Sequence, residues 1–113
     1  MTQHDFPEDA DGDALRRVLS GESDPARPMA IDFMVAVPSA DVGHTIAAEA
    51  RRRGFDTEVA HDGESDEWTC YCTREMLATY DGIIAAQKEL DRLARPFGGH
   101  ADGWGTWGNA ADG

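Results

Sequence analysis

Lysine is nearly missing from this sequence: Lys88 stands alone among ten basic residues, set against 22 aspartates and glutamates, and the formal charge is −12. Affinity for DNA or RNA comes largely from cationic side chains that neutralise phosphates, so a direct nucleic-acid surface is excluded. Such a chain carries a negative field that repels phosphate and attracts basic partners. Long hydrophobic runs are missing as well. The longest apolar stretch lies around Met34 to Pro38, far short of the ~20 residues a membrane-spanning helix needs. Met1 to Asp5 has neither a basic region nor an apolar one, so no secretory signal is read there and a cytoplasmic location is expected.

Cysteine is scarce too, with only Cys70 and Cys72. On a strand, residues two apart have parallel Cβ vectors and poor disulfide geometry, so both are expected as reduced, buried thiols. One C-x-C pair, even with His61 or His100, falls short of a structural zinc signature, and no metal is expected. Gly98-Gly99 and Gly103-x-Gly105-x-x-Gly108 do not open a helix after a strand, so there is no phosphate-cradling loop and no cofactor is expected. A catalytic thiol needs electropositive surroundings, and here the neighbours are acidic or aromatic. Catalysis is not expected.

What is present reads as alternating elements. Residues 1–12 form an acidic arm, and Leu15, Val18 and Leu19 at helical spacing predict a short amphipathic helix from Asp13 to Leu19, closed by Ser20-Gly21. Pro25 and Pro28 mark a connector. Ile31, Phe33, Val35 and Val37 alternate with Asp32, Met34 and Ala36, which predicts a central strand over Met29–Val37. Ser39 is placed to cap a helix with Val42, Ile46, Ala47 and Ala50 on one stripe, ending in Arg51-Arg52-Arg53 before Gly54. Phe55 to His61 and Trp68 to Thr73 read as a hairpin turning at Asp62–Asp66. Thr79 starts a long helix with Ile83, Ile84, Gln87, Leu90, Leu93 and Ala94 inward, and Pro96 with Gly98-Gly99 stops it. A last strand runs from His100 to Trp107, and residues 109–113 form a tail.

Without the leading helix the order is β-α-β-β-α-β. The economical packing is an α+β ferredoxin-like fold: a four-stranded antiparallel sheet with two helices on one face, within a single domain at 13–108. Two helices cover one face only, so the other is the first candidate for function. In the last strand, glycines alternate with Trp104 and Trp107, which suggests a backbone that something approaches closely. The tryptophans either plug the core or, with Trp68 and Tyr71, present an aromatic patch to a partner.

Asp102-Gly103-Trp104-Gly105-Thr106-Trp107, following a helix and a glycine-rich joint, resembles the closing signature of the regulator of ribonuclease activity B (RraB) family. The Ile31-Asp32-Phe33 strand, the helix reaching Gly54-Phe55 and the Trp68-Thr69-Cys70 strand are similar to that family along residues 11–108. The resemblance implies an acidic protein that inhibits the endonuclease RNase E by binding it. The residues taken to carry partner binding are Asp102, Trp104, Trp107, Trp68, Tyr71, Glu64, Asp66 and Glu67, with Asp9, Asp11 and Asp13 adding charge. A different reading is a small-ligand module acting as a homodimer through the open sheet face.

Overall fold

The computed structural model describes Gly12 and residues 26–106. The arm up to Asp11, the helix expected at 13–19, half of the connector, Trp107 and the tail therefore lie outside the described residues. Strand β1 spans Met29–Val37, helix α1 Ala40–Arg52, β2 Asp56–Asp62, β3 Glu67–Met76, helix α2 Tyr80–Ala94 and β4 His100–Thr106. The sheet order is β2-β3-β1-β4 and every neighbouring pair is antiparallel. This is the ferredoxin-like arrangement, with β1 in the interior of the sheet as its apolar alternation predicts.

Period-two alternation decides what β1 buries. Met29, Ile31, Phe33, Val35 and Val37 are buried on one side, facing α1 and α2, while Asp32, Met34 and Ala36 lie on the other and are only partly covered. Cys70 and Cys72 of β3 join the buried side, opposite Val35 and Phe33. Phe33 meets Phe55 edge to face at 6.1 Å between ring centroids. Each fully buried side chain of this size contributes about 1.5–3 kcal/mol, so the layer between sheet and helices holds the fold. Helix α1 adds Ile46, Ala47 and Ala50, and α2 adds Ile83, Ala86, Leu90 and Ala94.

Both helix starts follow the expected chemistry. The Ser39 hydroxyl accepts from the Val42 N–H at 3.2 Å, and the Thr79 hydroxyl accepts from the Gly82 N–H at 3.1 Å; each satisfies a donor that the first helical turn leaves orphaned. Some boundaries differ from the expectation. Strand β2 starts at Asp56 and β3 reaches Met76; Phe55 sits just before its strand and is buried, with the Arg74 guanidinium 3.8 Å above its ring. The inward stripe of α2 includes Ala86, which the apolar count passed over, while Ile84 and Gln87 flank it as half-buried residues. Pro96 does not stop the chain abruptly: one 3-10 turn, Arg95–Phe97, follows α2.

The two glycines after that turn have different tasks. Gly98 holds a left-handed φ of +89°, which ordinary residues avoid. Gly99 has no such φ, but a Cβ there would lie 2.8 Å from the Ala36 carbonyl oxygen and 3.3 Å from Ala94 and Ile46. Gly99→Ala is therefore expected to destabilise by about 1–3 kcal/mol, whereas Gly63→Ala, with nothing within 4 Å, should stay within about 0.5 kcal/mol. Urea denaturation of the two variants checks this.

The same junction holds a carboxylate. Asp91 accepts from the Ala101 N–H at 2.9 Å and from Arg95 Nε at 3.0 Å, tying α2 to β4. The backbone hydrogen bond from Ala101, and then Arg95, hold its carboxyl below the usual range. A depressed folded-state value means that this stabilisation is present above the unfolded carboxyl's pKa of about 4 and is lost as pH falls through the lower folded value. Asp91→Ala should thus cost about 1 kcal/mol at pH 6, the low end for a charged hydrogen bond because the group is a third exposed, and almost nothing at the acid end of the titration. Denaturation midpoints measured across pH 2–6 test it, and an equal loss at every pH would contradict the assignment.

Candidate protein-binding surface

The helices leave one side of the sheet without a covering element among the described residues. Its outward positions follow from the register. Glu58 lies opposite Tyr71 and Tyr71 opposite Met34; Asp56 and Asp32 both lie opposite Thr73; Asp62 faces Glu67 and Ala30 faces Glu75. On β4, Gly105 lies opposite Asp32 and His100 opposite Ala36. Six carboxylates, Asp32, Asp56, Glu58, Asp62, Glu67 and Glu75, thus share this face, and no lysine or arginine of the strands does. The one strand arginine, Arg74, points to the helix side, where it covers Phe55 and donates to the Arg53 carbonyl at 2.7 Å.

Charge is divided between the two sides. Arg52 pairs with Glu49, Arg53 and Arg74 with Glu89, and Arg95 with Asp91, at 3.0 to 3.8 Å, all on or against the helices. Among the described residues, Asp32, Asp56, Glu58, Glu67 and Glu75 of the open face are in no ion pair. Asp32 does accept a hydrogen bond from the Thr73 hydroxyl, which fixes its carboxylate beside the middle of the sheet. A shallow groove of about 240 Å³ runs there, lined by Asp32, Met34, Tyr71, Gly105 and Thr106.

The residues expected to bind a partner are distributed over this geometry unevenly. Tyr71 stands on the open face, 38% exposed. Trp68 is on the helix side of β3, half-buried against the core, with the His61 ring stacked at 4.4 Å. Trp104 is likewise half-buried against the core, opposite Phe33. The described aromatic residues therefore form no common patch: the two tryptophans point one way and the tyrosine the other. Trp107 lies outside the described residues. Glu64, Asp66 and Glu67 are exposed at the β2–β3 hairpin, where Asp66 takes a left-handed φ of 58° and its carboxylate meets His61 Nε2 at 2.7 Å. Asp102 is exposed at the bulge in β4.

Sequence reasoning did not single out Asp32, Asp56, Glu58 or Met34 as neighbours of Tyr71, or Gly105 as lining the same groove. Alternation had put the acids of β2 on a wet side of their own strand, but only register brings them beside Tyr71.

Cys70 and Cys72 are free and fully buried, with their Sγ atoms 3.8 Å apart. The hydrogen bond between them lowers the Cys70 thiol and raises that of Cys72, and burial raises Cys72 further. Among the described residues no three His, Cys, Asp or Glu side chains converge as a metal site. No helix among them is long and apolar enough to cross a membrane.

The fold and the face can be set beside known proteins. A family model described as regulator of ribonuclease activity B matches residues 8–106, most of the chain. The chain belongs to this family. No curated protein matches it. The family's description implies regulation of ribonuclease activity.

The division of the aromatics has a direct consequence for stability. Trp104→Ala is expected to cost about 2 kcal/mol, because half the ring fills space against Phe33 and its neighbours, while Tyr71→Ala should cost less than about 1 kcal/mol. Thermal or urea unfolding of the two variants checks the contrast; a larger loss at Tyr71 would reverse the assignment of faces.

Proposed function

We propose that this RraB-family chain is a non-catalytic acidic regulator that binds an RNase E-like endonuclease and inhibits it by protein–protein contact in the cytoplasm. The observation that carries the reading is the open sheet face with six carboxylates and, among the described strand residues, no lysine or arginine, in a chain matched by a ribonuclease-regulator family. An endonuclease that handles RNA must present cationic surface to hold phosphates, and an acidic face is complementary to it. Complementary charge steers encounter and sets specificity more than it sets raw affinity, and it is screened by salt.

The residues offered for contact are Tyr71, Glu67 and Asp102, with Glu64 and Asp66 at the hairpin; Trp68 and Trp104 contribute by holding the sheet. A homodimer stacked open face to open face would set like charges against one another, at a cost, so the reading takes a partner of opposite charge. The family's description as a regulator supports the non-catalytic part of the reading.

The test is the cleavage rate of a purified RNase E-type endonuclease on a single-stranded RNA substrate, with and without equimolar to tenfold protein. Inhibition at 50 mM salt that weakens severalfold at 200 mM is expected. An unchanged rate at both salt concentrations would remove the ribonuclease from the reading.

A further inference from the structure

Binding by charge alone would need no particular place on the molecule, yet the open face has one. Tyr71 stands at its centre with Glu58 directly across on β2, Met34 directly across on β1, and Asp32 and Asp56 one step along the diagonals. Facing pairs lie about 5 Å apart and diagonal pairs about 7–8 Å, within reach of one bound side chain. At Gly105 the β4 side of the groove is bare backbone. Gly105 lies opposite Asp32 without a left-handed φ, and a Cβ there would meet no described residue within 4 Å. Among the described residues no steric demand explains that glycine, and a missing side chain leaves room for another chain to lie close.

We infer that the open face docks an extended, arginine-bearing segment of a protein partner, with a guanidinium stacked on Tyr71 between Glu58 and Asp32 and the segment's backbone running past Gly105. The inference gives a place and a chemistry to the contact proposed above and relies on that reading only for the partner's identity.

Three properties of the face select this occupant. Its charge is complementary to a basic segment and opposed to nucleic acid and to a second copy of itself. Its groove, about 240 Å³ and shallow, takes single side chains of an extended chain rather than the width of a helix, whose diameter is about 10–12 Å. Its centre combines an aromatic ring with carboxylates, which suits the planar guanidinium better than an ammonium, because the former stacks and donates in a fork at once. The molecule already makes such a stack internally, with Arg74 3.8 Å over Phe55.

The experiment uses the full chain and a fluorescein-labelled eight-residue peptide of alternating arginine and glycine, with its lysine counterpart, read by fluorescence anisotropy at 50 mM salt. The arginine peptide is expected to bind at least threefold more tightly than the lysine one. Tyr71→Ala should weaken it tenfold or more, as should Asp32→Asn combined with Glu58→Gln, and Gly105→Val, which puts a branched side chain at the groove. The matched pair Asp41→Asn with Glu49→Gln removes two carboxylates from the helix side and should change affinity less than twofold. Equal losses in the two carboxylate pairs would reduce the effect to net charge and overturn the inference, as would a silent Tyr71→Ala or equal binding of the two peptides. Peptide binding without any effect on the endonuclease would retain the surface and remove the ribonuclease; inhibition that survives Tyr71→Ala and Gly105→Val would do the opposite.

Discussion

Strand β1 is hydrogen-bonded along both edges, to β3 on one side and β4 on the other, and its alternation sets the two faces of the whole sheet. Because side chains on neighbouring strands at the same register share a face, the buried row Ile31, Phe33 and Val35 forces Cys70, Cys72 and Trp104 to the same side. Both helices pack there. The complementary row, Asp32 and Met34, forces Tyr71, Glu58 and Gly105 outward. A one-residue slip at β1 would exchange the core for the acidic face, so packing energy and charge distribution are fixed by one register.

That coupling gives the charge pattern its meaning. Acidity spread evenly over a surface serves solubility; here Arg52, Arg53, Arg74 and Arg95 pair with Glu49, Glu89 and Asp91 on the helix side, and the row of unpaired strand carboxylates lies on the other. Six like charges on one sheet face repel each other, and the core under that face holds them together. The energy that stabilises the sheet thus maintains an arrangement that gains when a cationic partner arrives.

Much of the fold could be read from residues alone because local signals agreed. The period-two run in β1, the caps at Ser39 and Thr79, and the glycine pair at Gly98-Gly99 each have a short-range cause. The aromatic residues were less legible. Two steps along β1, from Phe33 to Val35, match three along β4, from Ala101 to Trp104. This bulge at Asp102 and Gly103, where Gly103 takes a φ of +118°, turns Trp104 inward; in an unbroken ladder it would lie on the face opposite Ala101. No alternation count inside His100–Thr106 reveals the extra residue. Likewise Ala86 is buried in α2 although larger apolar side chains lie nearby, because closeness to the sheet selects it.

The sequence by itself determined the element order, the acidic balance, the buried dithiol strand and the two capped helices, since each depends on contacts among residues close along the chain or on composition. Only the tertiary structure decided which residues meet across strands. Tyr71 with Glu58, Met34 and Asp32, and the separation of Tyr71 from Trp68 and Trp104, come from register and a bulge, and these are set by packing between segments tens of residues apart.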